Sequence, residues 1–106
     1  MLTKYAFFTG TVKNGKKDDM RKHVQSVLQP LWEQFQPSIS VTVLYEYESE
    51  PGSPSIPLVL AVTYANRKSL DQAMQSQARH DARKLLPEFY DRFFDHVELW
   101  HCTFSH

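Results

Sequence analysis

The stretch from residue 56 to residue 94 constrains the fold most, because it places a strand, a turn and a long helical segment in direct succession. Its first part, IPLVLAVTY, is apolar and rich in β-branched residues, and the turn sequence ANRK follows at once. One face would carry Leu58, Leu60, Val62 and Tyr64, and the other Val59, Ala61 and Ala65. A strand that is apolar on both faces lies in the middle of a sheet, so this segment predicts a central strand.

The helical segment after the turn shows signs of both a start and an interruption. Ser69 and Gln72 have the spacing of a capping box, in which each side chain bonds a free backbone amide at a helix start. The polar pair at residues 76–77 predicts a break, and Pro87 predicts a second one because proline is favoured in the first turn of a helix. The buried stripe is predicted to comprise Leu70, Ala73, Met74, Ala78, Ala82, Leu85, Leu86 and Phe89.

Two further elements precede the central strand. Residues 5–12, YAFFTGTV, predict a strand that ends at an Asn-Gly turn. Residues 16–35 repeat apolar side chains every three or four positions, which predicts a helix. Pro30 lies inside this pattern and lacks a backbone donor, so we expect a kink or a break there, and the Gln36-Pro37 pair should end the helix.

Two more strands complete the predicted topology. Residues 38–48 alternate in the manner of a strand, residues 49–57 contain three prolines and predict a loop, and residues 96–106 alternate again. The order is therefore βαββαβ, an α+β, ferredoxin-like fold with a four-stranded antiparallel sheet and its helices on one face. The whole chain, residues 1–106, is predicted to form one domain.

The second face of this predicted sheet has no helix to cover it. Side chains such as Tyr5 and Phe7, or Ala6 and Phe8, would be left in water, and monomers rarely expose so much contiguous apolar surface. Two sheets that pack face to face about a two-fold axis would bury it. We therefore expect a homodimer through the sheet face, with a monomer that exposes an aromatic face as the alternative.

Charge and cysteine content narrow the range of partners. Twelve basic residues balance twelve acidic ones, so no net field attracts nucleic acid or an anionic membrane, and a neutral, compact partner is expected. The single cysteine, Cys102, cannot form an internal disulfide. The first residues lack the pattern of a signal peptide, and no apolar run approaches the roughly 20 residues of a membrane span. The expectation is a soluble, cytoplasmic protein.

The chain resembles the dimeric α+β barrel superfamily, which includes the stress-responsive A/B-barrel proteins and the antibiotic-biosynthesis-type monooxygenases. The resemblance covers nearly the whole chain and is strongest over residues 58–93, LVLAVTYANRKSLDQAMQSQARHDARKLLPEFYDRF. Relatives have a proline-histidine break between two helices. Here the break would fall at residues 77–80, where the proline is absent and only His80 matches. The resemblance implies the fold and the dimer.

The same resemblance implies a function. Cofactor-independent oxygenases of this superfamily bind flat aromatic substrates between the helices and the sheet, so an aromatic or quinone-like ligand is expected and no cofactor. Haem-degrading members use an asparagine and a tryptophan on strands, whereas residues 5–12 contain no asparagine and residues 56–64 no tryptophan. The competing interpretation is a non-catalytic dimeric structural or stress-responsive module, whose cleft is filled by its own side chains.

Five side chains are candidates for contact with a ligand, and no residue is assigned a catalytic role. The candidates are His80, His23, Tyr64, Tyr45 and Trp32. His80 would serve as a base or as a hydrogen-bond partner of a substrate phenol. A continuous helix, at about 100° per residue, would turn His80 to solvent, so its role depends on a break near Gln77. For His23 and Trp32, extension to water and ordinary core packing are the simpler interpretations.

Other kinds of site have little support in the sequence. His96, His101 and His106 recur every five residues, and this odd step alternates between the faces of a strand, so the three cannot converge on one metal ion. An RNA-recognition module would need exposed aromatic residues within a basic motif on its central strands. An amino-acid-sensing regulatory domain would share the topology but is normally attached to an enzyme. No metal site is predicted.

Overall fold

The chain forms one four-stranded antiparallel sheet with all its helices on one face. The computed structural model describes residues 1–106. The elements are β1 (Leu2–Val12), α1 (Lys17–His23), α2 (Gln29–Trp32), β2 (Ser40–Tyr45), β3 (Leu58–Tyr64), α3 (Arg67–Met74), α4 (Gln77–Lys84), α5 (Leu86–Phe93) and β4 (Phe94–Ser105). The strand order is β2-β3-β1-β4. The predicted ferredoxin-like fold is confirmed.

The alternation of β1 and β3 separates an inner face, which meets the helices, from an outer face. On β1, Ala6 and Phe8 point inward and are buried, and they alternate with the half-buried Tyr5 and Phe7 on the outer face. Ala6 lies opposite Leu60 of β3 on one side and opposite His101 of β4 on the other. Because paired residues share a face, these three side chains form one row across the inner face.

Aromatic residues hold the helices to the inner face. Phe89 of α5 is fully buried, and its ring lies edge-on to Phe8 of β1, 6.3 Å away, and to Phe94, 5.4 Å away. Full burial of one such side chain contributes roughly 1.5–3 kcal/mol. This cluster fixes α5 against the start of β4.

The first helical region is interrupted before Pro30, as predicted. The turn Val24–Leu28 is π-helical and joins α1 to α2, and Pro30 falls in the first turn of α2. Proline cannot donate the backbone hydrogen bond that a continuous helix needs, so the chain widens by one turn there. The regular helix ends at Trp32. Phe35 follows in a turn, and its backbone amide donates a hydrogen bond to the Trp32 carbonyl at 3.1 Å.

The second helical region is divided into three helices. The predicted break near Gln77 is confirmed, since α4 begins there with the Ser76 hydroxyl accepting a hydrogen bond from the Arg79 amide at 3.3 Å. The predicted N-cap of α3 was wrong. Asn66, not Ser69, is the N-cap, because its extended backbone lets its side chain accept from the Ser69 amide at 2.9 Å. Pro87 lies in the first turn of α5, as expected.

The strand β2 is shorter than the alternation of residues 38–48 predicted. The Glu46 carboxylate accepts hydrogen bonds from the Ile56 amide at 2.8 Å and from the Ser55 hydroxyl at 3.1 Å. These bonds hold the loop beside the strand end, and Tyr47 beyond it is almost entirely exposed. None of the helices has the length and apolar character needed to cross a bilayer.

The outer face of the sheet carries aromatic side chains that no helix covers. The rings of Tyr5 and Phe7 stack at 5.5 Å, and Phe104 meets Tyr5 edge-on at 5.4 Å. Leu44 and Trp100 stand at opposite edges with about half of each side chain exposed. The face contains a shallow groove of about 660 Å³.

Candidate ligand-binding cleft

An open, largely apolar cleft lies between the inner face of the sheet and the helices. Its volume is about 320 Å³, and 12 of the 17 residues that line it are hydrophobic. Small-molecule sites are typically apolar clefts with a few placed polar groups, and this volume falls at the lower end of their range. The sheet contributes Lys4, Ala6, Phe8, Leu60, Val62, Tyr64, Leu99 and His101, and the helical side contributes Trp32, Phe35, Met74, Arg79, Ala82, Arg83, Leu86, Pro87 and Tyr90.

Small residues and the helix break leave this space open. Ala6 on the sheet and Ala82 on α4 line opposite walls, and both are buried. The break at Ser76 ends α3 and starts α4 in a new phase, in which α4 places the small Ala82 at the cleft between the longer side chains of Arg79 and Arg83.

Aromatic rings form one wall of the cleft. Phe8 lies 6.2 Å from Trp32 and 6.3 Å from Tyr90, measured between ring centroids. Tyr64 also lines the cleft, and its buried hydroxyl has no hydrogen-bond partner among the protein atoms. Burial raises the pKa of Tyr64 to about 12, against a smaller opposing effect of Arg79. The Tyr64 hydroxyl thus stays protonated near neutral pH and lies fully buried behind the cleft wall.

Basic side chains gather at one end of the cleft. The Lys4 ammonium donates to the Met74 sulfur at 3.1 Å, and the Arg79 guanidinium donates to the Met74 carbonyl at 3.0 Å. Arg83 lies one helical turn beyond Arg79 and also lines the cleft. The pKa of Lys4 is lowered by burial first and then by repulsion from Arg79, Arg67 and Arg83. This end of the cleft is electropositive.

His101 joins this basic group from β4. Burial, followed by repulsion from Lys4, Arg79 and Arg83, lowers the pKa of His101 below its usual value near 6.5. Its imidazole is therefore neutral at neutral pH and is available to accept a proton.

Two of the five predicted ligand contacts, Trp32 and Tyr64, line the cleft. Trp32 is buried and packs its ring near Phe8, so it serves the core and the cleft wall together. Tyr64 ends β3 on the inner face, at the position that the alternation of the strand assigned to it. Their contact with a ligand remains a prediction.

His80 lies outside the cleft, contrary to what the break near Gln77 was expected to allow. The break resets the helical phase, but the N-cap at Ser76 then turns Arg79 and Ala82 inward and leaves His80 exposed. The geometry thus gives the inward positions of α4 to an arginine pair, Arg79 and Arg83, and not to the histidine.

His23 and Tyr45 also lie away from the cleft. The ring of His23 stacks on Phe89 at 5.7 Å, and its pKa is lowered by burial first and then by Arg92. Tyr45 lies on the edge strand β2, where the Arg21 guanidinium sits 4.5 Å above its ring. Burial raises the pKa of Tyr45. Both side chains pack against the helical layer.

The basic group of the cleft was missed by sequence reasoning, although two signals were present. Lys4 is in phase with the inward Ala6 and Phe8, and His101 is in phase with the inward Leu99, so strand alternation places both on the inner face. Arg79 and Arg83 are four residues apart and therefore share a helix face, but their phase depends on the exact position of the break.

We expect the stability of the protein to fall as the pH drops from about 7 to about 5, partly because of His101. Its pKa is lower in the folded protein than in the unfolded chain, so the unfolded chain takes up a proton first and is favoured. Replacing His101 by Gln should make the free energy of unfolding less dependent on pH. Urea unfolding at several pH values measures this free energy for both proteins. An unchanged slope in the variant would contradict the depressed pKa, and the expected change is modest because the imidazole is partly exposed.

Several solved structures share this fold. An ethyl tert-butyl ether D (EthD) family protein from Bacillus halodurans matches with a TM-score of 0.72 and 19% identity, over 96% of this chain and 97% of its own. A dimeric ferredoxin-like protein from Thermobifida fusca matches with a TM-score of 0.65 and 8% identity, over 99% and 92%. SnoaB, a cofactor-independent oxygenase from Streptomyces nogalater, matches with a TM-score of 0.62 and 12% identity, over 99% and 91%.

Proteins described as antibiotic biosynthesis monooxygenases and a dabb family protein share the fold as well. These are classes that the sequence resembles, and the chain shares their ferredoxin-like α+β fold. No protein-family profile matches the sequence, and no curated protein shows significant similarity to it.

Proposed function

We propose that this protein binds a flat, mainly apolar aromatic or quinone-like molecule in the cleft and acts on it as a cofactor-independent oxygenase. The open cleft itself carries the proposal. It has a volume of about 320 Å³ and aromatic walls, so the interior is not filled by the protein's own side chains. This openness weighs against a non-catalytic module with a filled cleft.

The polar groups of the cleft suit such a substrate. His101 is neutral near neutral pH and can take the proton of a phenolic hydroxyl, while the apolar and aromatic lining suits the ring system. An ionised hydroquinone is electron-rich enough to reduce O2 itself. One oxygen atom of O2 then forms a C–O bond to the ring, the O–O bond breaks, the other atom leaves as water, and the hydroquinone becomes a hydroxyquinone, so the substrate supplies all the electrons. The shared fold with SnoaB supports this reaction class.

We further propose that the protein acts as a homodimer in which two outer faces pack together. Tyr5, Phe7 and Phe104 form an aromatic surface there, and a two-fold axis would pair this surface with itself. The similarity to a dimeric ferredoxin-like protein from Thermobifida fusca supports a dimer, and the exposed aromatic residues are the reason for choosing this face. The cleft lies on the opposite side of the sheet and stays accessible in such a dimer.

Cleft occupancy can be tested with 1,4-naphthoquinone and 1,4-naphthohydroquinone. The quinone should raise the melting temperature of the native protein, since a ligand that binds only the folded state stabilises it. The native protein should accelerate O2 uptake by the hydroquinone. Replacing Ala82 by Phe should fill the cleft and weaken quinone binding by about 100-fold or more.

Lys84→Phe is the matched control, because it adds the same ring to the exposed side of α4, away from the cleft. This variant should bind the quinone and consume O2 as the native protein does. Binding that survives in Ala82→Phe would place the ligand elsewhere. If the quinone binds but O2 uptake is not accelerated, the result would support the ligand site and contradict the oxygenase activity.

A further inference from the structure

The charge at the basic end of the cleft is uncompensated. Lys4, Arg79 and Arg83 line the cleft, whereas none of its 17 lining residues is an aspartate or a glutamate. The chain as a whole carries equal numbers of acidic and basic residues, so this cluster is not the result of a basic protein. The imbalance is local to the cleft.

Two basic side chains outside the cleft have acidic partners. Arg67 pairs with Asp71 at 3.0 Å, and Lys16 pairs with Asp19 at 3.8 Å. In the cleft, by contrast, the Lys4 ammonium and the Arg79 guanidinium donate only to the neutral sulfur and carbonyl oxygen of Met74. After the larger effect of burial, repulsion from Arg79, Arg67 and Arg83 lowers the pKa of Lys4, and repulsion from Arg83 lowers the pKa of Arg79.

Like charges held together in a partly buried site favour an anion as the missing partner. We propose that the ligand is an aromatic carboxylic acid, bound with its ring system against the apolar walls and its carboxylate between Lys4, Arg79 and Arg83. The guanidinium fork matches the two oxygens of a carboxylate, and charge-assisted hydrogen bonds are roughly twice as strong as neutral ones. A doubly charged phosphate would cost more to bring into so small and apolar a cleft.

This inference rests on the proposed cleft and revises the expectation of a neutral partner. Zero net charge removes only the long-range field of the whole molecule. A ligand inside the cleft experiences the nearby charges, and at contact distances these dominate over charges that lie beyond a Debye length of about 8 Å in physiological salt.

The test compares two probes of the same shape, 2-naphthoate and 2-naphthamide, by calorimetry on the native protein. The naphthoate should bind about 10-fold or more tightly, and its advantage should shrink as salt is added. Equal affinities would overturn the carboxylate inference and leave the aromatic cleft in place. Failure of both probes to bind would overturn the inference together with the proposed cleft function.

Charge-removing variants locate the carboxylate. Lys4→Met and Arg83→Met should each weaken naphthoate binding by about 10-fold and weaken naphthamide binding much less, because the amide has no charge for them to neutralise. Lys84→Met removes a charge from the same helix outside the cleft and should alter neither affinity. Thermal unfolding confirms that each variant is folded. Equal losses for both probes, or an equal loss in Lys84→Met, would overturn the placement of the carboxylate.

Discussion

Replacing Leu44 and Phe104 together by Glu is expected to convert the proposed dimer into a monomer. The two residues stand on opposite edge strands of the outer face, and each is about half exposed in the single chain, so the monomer tolerates the charges. In the dimer, four carboxylates would lose water without a basic partner, at a cost of several kcal/mol. We expect the dissociation constant to rise about 1,000-fold or more, as measured by sedimentation or light scattering across a concentration series.

A suitable control for this change is Val27→Glu. Val27 is also an exposed apolar residue, but it lies in the π-helical turn on the other side of the molecule. This variant should remain dimeric. Two results would contradict the outer face as the interface. One is a native protein that is already monomeric at micromolar concentration, and the other is a double variant that remains dimeric.

Gly10→Ala is expected to be the most destabilising small substitution in the chain. Gly10 lies in β1 with φ at +137°, and a Cβ atom there would come within 2.1 Å of the backbone carbonyl oxygen of His96 in β4. Neither backbone can move without breaking the pairing of the two strands. We expect a loss of about 4 kcal/mol or more in the free energy of unfolding, a large part of the roughly 5–15 kcal/mol typical of a domain.

Gly52→Ala separates this steric clash from backbone strain. Gly52 also has a positive φ, of +89°, but nothing lies within 4 Å of a Cβ built on it. Its replacement should cost only about 1 kcal/mol, the usual penalty for a side chain in left-handed backbone. Urea unfolding of both variants measures the difference, and similar losses would show that the contact with His96 is relaxed in solution.

Much of the fold was predictable because strong local patterns agreed with the tertiary packing. The double-sided apolar strand β3 is central between β2 and β1, and the interruptions at Pro30, Ser76 and Pro87 all occur. The ends of the helices and strands were harder to predict. The capping side chain of α3 proved to be Asn66, since several residues of the turn can cap a helix and only the backbone angles decide between them.

The cleft was less predictable than the fold, because its chemistry depends on the phase of a single short helix. A shift of one residue in the start of α4 would exchange the positions of Arg79 and His80 relative to the sheet. Likewise, Lys4 and His101 come from strands at opposite ends of the chain, and their proximity follows from the pairing of β1 with β4 rather than from any local pattern. Net charge concealed the cluster, because the acidic residues that balance it lie elsewhere.

Because β1 lies in the middle of the sheet, its side chains contribute to two separate surfaces. Its even-numbered side chains, among them Lys4, form the floor of the cleft, and its odd-numbered ones, among them Tyr5 and Phe7, form the outer face. A slip of one residue in its pairing would reverse every side chain. The ammonium group would then enter the aromatic assembly surface and the aromatic rings would fill the cleft, so recognition of a ligand and recognition of a second subunit depend on the same register.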